Sequence, residues 1–255
     1  MGMKGIRGIL TLLFLGTLGG TLWGQLTTQA DFKRQVYDRA YTLGLVFHSR
    51  GYTLNGRYLK YRDGYNMHGL EIDLAKLRHP KEVITSNDLT NNARGYVVGR
   101  TNSFYTLRAG YIQRKILFDK TDRGSVSISW LQSGGLSLGL LKPIYLQVWT
   151  NTPDGGPRRL ETIRYSGEVP PSVIQGEANF FMGIDEISLQ PGIYYKTGFE
   201  FDYQLLDEKI TSVEAGLIYD YFFREVPIFY EAEGDINWSG FFQLYLAVNF
   251  GYKKN

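Results

Sequence analysis

There is no cysteine in these 255 residues. That excludes a disulfide framework, a thiolate metal site and a lipid-modified N-terminal cysteine. Long apolar runs are nearly missing as well. Ile9–Trp23 is apolar, broken only by small residues and threonines, and it falls short of the roughly 20 residues a membrane-spanning helix needs. No other stretch is apolar enough to cross as a helix, so a membrane location requires a closed barrel, the only strand structure that satisfies every backbone polar group in lipid. Excess charge is also lacking. The chain has 28 basic and 25 acidic residues, and losing Lys4 and Arg7 with a leader would bring the basic count to 26. Such balance carries no polyanion signature and implies no nucleic-acid partner.

Lys4 and Arg7 ahead of the apolar stretch, with Gly24 before Gln25, read as a cleavable export signal over 1–24, leaving one domain over 25–255. Helical periodicity is scarce. The best helical candidate is the short polar segment Gln29–Arg39. What recurs is alternation with a period of two. The last such stretch is the most regular: Phe242, Leu244, Leu246, Val248, Phe250 and Tyr252 share one parity, and Gln243, Tyr245, Ala247, Asn249 and Gly251 the other. It is as long as a strand tilted across a bilayer, roughly 9–11 residues. Alternation recurs at Tyr41–His48, Gly69–Leu74, Tyr105–Tyr111, Ser125–Trp130, Leu136–Val148, Ile193–Asp202 and Val213–Tyr221, and Tyr52–Tyr61 is strand-like without a clean face. The 19 tyrosines and 15 phenylalanines suit aromatic girdles at two interfaces.

This pattern predicts an all-β fold, a closed antiparallel up-and-down transmembrane barrel of 8–10 strands with long loops. The stretches above make nine, whereas single-chain barrels of this type have even counts. Arg94–Arg100 and Arg159–Tyr165 are candidates for a tenth, and eight remain if Tyr52–Tyr61 does not span. Leu77–Thr101 and Asn151–Ile187 are too long for turns and rich in turn chemistry. Gly134-Gly135 reads as a turn or bulge, and Pro143 and Pro191 imply a bulge or a strand start. A soluble β-sandwich, its strands burying one face against a second sheet, is the competing class.

If the apolar parity faces lipid, the other faces the lumen. That places Glu71, Asp73, Arg108, Lys196, Glu200, Asp202, Glu214 and Asp220 inside as a candidate charge network. An eight-stranded barrel is just filled by its own side chains, so these charges must pair. The structural reading is a plugged lumen; the functional one is a narrow hydrophilic pore. No catalytic, cofactor or metal motif stands out. His48, His68 and His79 lie in no His-x-x-x-His spacing and in no alternate-position pair with a serine. The basic clusters Arg78-His79-Pro80-Lys81 and Arg158-Arg159 read as solvated loop charge or as contacts for lipopolysaccharide phosphates.

Four segments occur in order: His79-Pro80-Lys81-Glu82; Asn102-Ser103-Phe104-Tyr105-Thr106-Leu107-Arg108-Ala109-Gly110-Tyr111; Gly134-Gly135-Leu136-Ser137-Leu138-Gly139 with Lys142-Pro143-Ile144-Tyr145-Leu146; and Phe181-Met182-Gly183-Ile184-Asp185-Glu186. With them the chain resembles a family of small outer-membrane β-barrel proteins from Bacteroidota that carry no assigned activity. The resemblance covers most of the chain after the leader. It implies a barrel in the outer membrane and no catalytic residues. By analogy with barrels of this size class, it implies a non-enzymatic structural or accessory subunit of an envelope complex for protein assembly or export. A small solute pore and a lipid-A binding or modifying barrel are the alternatives. The expected contacts are outer-membrane lipid, lipopolysaccharide and other outer-membrane or periplasmic proteins, with no cofactor.

Overall fold

The computed structural model describes residues 37–80, 82–86, 95–119, 125–151, 156–203, 208–230 and 237–255. The export signal read over 1–24 lies outside them, as does most of the helix read over 29–39, whose last residue, Arg39, already opens a strand. In chain order the strands are β1 (Arg39–His48), β2 (Gly51–Tyr61), β3 (Asn66–Leu77), β4 (Ile84–Thr85), β5 (Tyr96–Val97), β6 (Asn102–Phe118), β7 (Ser127–Pro143), β8 (Tyr145–Thr150), β9 (Arg159–Arg164), β10 (Ile174–Glu177), β11 (Ser188–Asp202), β12 (Lys209–Val226) and β13 (Trp238–Lys254). Eight of them, β1, β2, β3, β6, β7, β11, β12 and β13, pair antiparallel with their neighbours and close into a barrel. The seam joins β1 to β13, in register from Arg39↔Lys254 to His48↔Tyr245.

The alternation dictates this arrangement. Along β13, Gln243, Tyr245, Ala247 and Asn249 are buried while Phe242, Leu244, Leu246, Phe250 and Tyr252 are exposed. The same split gives outward Leu43, Leu45 and Phe47 on β1, and Leu70, Ile72 and Leu74 on β3. The result is an apolar belt around a closed sheet, which rules out the sandwich alternative: the eight strands close on themselves, and among the described residues no second layer covers the belt.

The strand count resolves at eight. Ser125–Trp130 and Leu136–Val148, read as two strands, divide differently: Ser127–Pro143 is one continuous strand, β7, and Tyr145–Thr150 is β8, so Gly134-Gly135 is neither turn nor bulge. The glycines are there because the chains crowd. A Cβ on Gly135 would sit 2.3 Å from the Ala109 carbonyl oxygen, and one on Gly110 would sit 2.6 Å from the Tyr194 hydroxyl. Removing both side chains lets Tyr194 lie across the inner wall and meet the Ser133 hydroxyl at 2.9 Å. Tyr52–Tyr61 is a full barrel strand, paired with β1 and β3 along its length. Neither candidate for a tenth strand enters the barrel. Of the stretch Arg94–Arg100, whose first residue lies outside the described residues, Tyr96–Val97 forms strand, paired with β4, and Arg159–Arg164 pairs with β8. Pro143 ends β7. Pro191 pairs with Leu138 without a register shift, one residue before pairing to β12 begins at Gly192.

Ile144, Leu146 and Val148 keep the alternating phase of β7 but leave the barrel. They pack with Tyr96, Tyr165 and Ile174 beneath a small sheet of order β10-β8-β9. That sheet is tied to the rim by the Ile144 N–H donating to the Thr101 carbonyl at 2.9 Å and the Gly99 N–H donating to the Tyr165 hydroxyl at 3.0 Å. It stands at the end that carries the connections 78–101, 144–187 and 227–237. The opposite end carries Arg39, Lys254 and the shorter connections 62–65, 119–126 and 203–208.

Asp63 organises the 62–65 turn. Its Oδ1 accepts from the backbone N–H groups of Tyr65 at 2.8 Å and Asn66 at 2.7 Å, and both its oxygens accept from the Asn66 amide. The Asn66 side chain, with those two N–H groups, holds the Asp63 carboxyl below the usual carboxylate range. A lowered folded-state value stabilises the fold above the unfolded value, about 3.9, and that contribution fades as pH falls through the folded one. Asp63→Ala is therefore expected to cost about 0.5–1 kcal/mol at pH 7, and the gap from the parent should close on acidification towards pH 2–3. Urea titrations in micelles at the two pH values measure it; a gap that stays constant with pH contradicts the assignment.

Candidate functional site

The interior is layered. At the end bearing Arg39 and Lys254 it is filled by Ala40, Leu59, Met67, Ile112, Ile116, Leu131 and Ile210. At the other end Leu77, Phe104, Leu141, Phe222, Val226, Ile228, Phe229 and Phe241 form a second apolar plug. The ring of Phe104 lies 5.1 Å from Phe222 and 5.5 Å from Phe241, centroid to centroid. Asn237, itself buried, pins this lid: its Oδ1 accepts from the N–H groups of Ile228 at 2.9 Å and Phe229 at 3.1 Å, and its Nδ2 donates to the Phe229 carbonyl at 3.1 Å. Between the plugs sits a polar layer.

All eight residues of the candidate network are buried. Arg108 donates through Nε and one terminal nitrogen to the two oxygens of Asp220, both at 2.7 Å, and lies 3.6 Å from Asp73. Lys196 reaches Glu71 at 2.8 Å and Asp73 at 3.7 Å. Glu214 accepts from Tyr245 and Asn249, and Asp220 from Gln243 and Ser137. Glu200 accepts from Ser212. Asp202 is buried on β11, opposite Ser127 of β7 and Ser212 of β12.

Three partners escape a reading by alternation. Arg57 is the hub: it forks onto Glu214 at 2.7 and 3.0 Å and donates to Glu71 at 3.0 Å. Asn55 bridges Glu71 and Asp73. Arg114 pairs with Glu200 at 2.9 Å. Arg57 and Asn55 sit on β2, whose outward set is diluted by Gly56 and Lys60, so its parity carries no clear sign until Leu54 and Tyr52 are placed outside. Arg114 lies past the point where the apolar parity of β6 gives way to Gln113 and Lys115. With these additions four cations, Arg57, Arg108, Arg114 and Lys196, face six carboxylates among the described residues.

Pairs Arg57–Glu214, Arg108–Asp220 and Lys196–Glu71 each join strands three places apart around the eight-strand ring. They brace the barrel across its bore. Each of these bonds ties one wall to another: Arg57 joins β2 to β12, Arg108 joins β6 to β12 and Lys196 joins β11 to β3. The histidines are separately engaged. His48 Nδ1 accepts from the Arg50 N–H at 3.3 Å, His68 lies against Tyr111, and His79 is buried against Phe229 and Trp238. Of the basic clusters, Arg78, Arg158 and Arg159 are exposed, and Lys81 lies outside the described residues.

No protein-family model matches the sequence, and no curated protein is similar to it. Among solved structures, Neisserial surface protein A is similar over 85% of this chain and 96% of its own, at 12% identity and a TM-score of 0.37. Ail, the attachment invasion locus protein of Yersinia pestis, solved with the heparin analogue sucrose octasulfate, is similar over 86% of this chain and 99% of its own, at 11% identity and a TM-score of 0.32.

Arg57→Met leaves Glu214 and part of Glu71 without a cation in a dry interior. The expected loss is about 3–5 kcal/mol, whereas Arg57→Met combined with Glu214→Met removes both charges and should recover most of it. Urea unfolding followed by tryptophan fluorescence decides this. A single variant within about 1 kcal/mol of the parent would mean that water screens the pair.

Proposed function

We propose that the protein is a non-enzymatic outer-membrane barrel with a closed bore, serving as a structural or accessory subunit of an envelope complex. One observation carries the reading: among the described residues the wall is apolar outside, and the side chains it turns inward are buried. A girdle of exposed Leu, Ile, Phe and Tyr side chains on a closed sheet fits hydrocarbon, not water. The two apolar plugs and the ion-paired layer between them leave no continuous aqueous path, which favours this reading over a solute pore. By the usual asymmetry of such barrels the short connections are periplasmic and the long ones extracellular. What the barrel offers to other molecules is then the β10-β8-β9 sheet and the neighbouring loops on the outer face. The export signal, the Bacteroidota affinity and the envelope partner belong to this proposal.

Three measurements test it together. The chain should stay in the membrane pellet after carbonate washing. It should give no conductance steps in planar bilayers at any voltage. Affinity capture in mild detergent should return stoichiometric envelope proteins. Release into the soluble fraction would end the membrane assignment. Steady single-channel currents would end the closed bore. A monodisperse lone barrel in several detergents would end the accessory role.

A further inference from the structure

Two lysines at the rim are unaccounted for by the network. Lys142, near the end of β7, is only 7% exposed. Its ammonium has a long contact of 3.5 Å to the Pro143 carbonyl and lies 5.2 Å from the Phe180 ring. Lys76, near the end of β3, lies 5.7 Å from the Tyr105 ring. No described carboxylate is within ion-pair distance of either. Glu177 borders the same groove, but it bonds Arg100, which also holds Glu82. A cation this poorly solvated and without a counter-charge is costly. The groove between the lysines opens into a cleft of about 460 Å³ whose wall adds Arg50 and Arg78. Positive charge is thus gathered at one point of a chain that is otherwise nearly balanced.

Below that point the surface is apolar. Tyr105 faces outward from β6, in register with Leu140, which in turn pairs with Leu189. Phe180 meets Tyr105 edge-on at 6.3 Å, and Phe181, Met182 and Ile184 beside it are exposed. The far side of this segment is anchored: Glu186 accepts from the Tyr145 hydroxyl and from Arg164 at 2.9 Å. A cationic groove directly above an apolar strip that runs into the belt has the form of an amphiphile's complement.

We propose that this groove binds the phosphate of an anionic lipid, between Lys76 and Lys142, with the acyl chains lying along Tyr105, Phe180 and the adjoining belt. The inference rests on the outward face being lipid-covered. A free phosphate would use the lysines but not the apolar strip, so the two sources are separable.

The test uses the full chain in detergent, by native mass spectrometry with dioleoyl phosphatidic acid and dioleoyl phosphatidylcholine as probes. Phosphatidic acid should be retained in preference to phosphatidylcholine. Lys76→Gln with Lys142→Gln should weaken retention about 25-fold, at about fivefold per charge removed. Phe180→Ala keeps both charges and should also reduce retention of the lipid, while leaving any binding of inorganic phosphate unchanged; it serves if the double variant fails to fold, as judged by heat-modifiable migration on gels. Equal retention of the two lipids, indifference to these substitutions, or complete displacement by millimolar inorganic phosphate would overturn the proposal. Carbonate washing is read separately: a chain that stays in the pellet but shows no lipid preference refutes this site and leaves the barrel assignment standing.

Discussion

A strand in this closed sheet has two faces, one turned out from the barrel and one turned into its bore. That constraint governs the molecule. The outer face is apolar along most of its length, as Leu43, Leu45, Ile72, Leu244 and Leu246 make it. The inner face is free to be polar, but the bore of eight strands is too narrow to hydrate what it contains. Each inward carboxylate therefore needs a partner from another wall. Arg57 between Glu71 and Glu214, and Arg108 on Asp220, are what that requirement looks like when it is met.

The two ends are treated differently from the middle. Both are stopped with side chains that need no partner, so the ion pairs lie between hydrophobic layers and not at a mouth. Within such layers the attraction between opposite charges is strong, and so is the penalty for leaving one unmatched. The lid at the long-loop end is not merely greasy. Asn237 fixes the backbone of Ile228 and Phe229 through three hydrogen bonds, and the lid is a defined piece of structure. Beyond it the β10-β8-β9 sheet has its own small core of Tyr96, Ile144, Leu146, Val148, Tyr165 and Ile174.

Much of this could be read from residue order, and the limits are instructive. A period of two reports that one face differs from the other. It placed Glu71, Asp73, Arg108, Lys196 and Glu214 on the inner wall because the residues on either side of them, such as Leu70, Ile72, Leu107 and Val213, are mostly apolar. The same signal is silent on what the apolar face touches. Ile144, Leu146 and Val148 alternate as well as any lipid-facing strand, yet they cover a protein core. It is equally silent on continuity: the stretches either side of Gly134-Gly135 hold one phase, and only the crowding against Ala109 and Gly110 explains glycine at position 135. Arg57 stayed hidden because alternation is weakest where outward positions are glycine and lysine, as at Gly56 and Lys60.

The reach of the cross-bore ion pairs bears on how such a wall can assemble. Arg57 and Glu214 stand 157 residues apart in sequence, and Arg108 and Asp220 stand 112 apart. The short way round from Arg57 to Glu214 crosses the β1–β13 seam, so that pair cannot meet while the sheet is an open ribbon. Until the first strand finds the last, these groups have to keep their hydration, so the unfinished sheet must fold around water and then expel it. Zipping the final seam and drying the bore become a single cooperative event, late and all at once, with few stable half-built forms on the way.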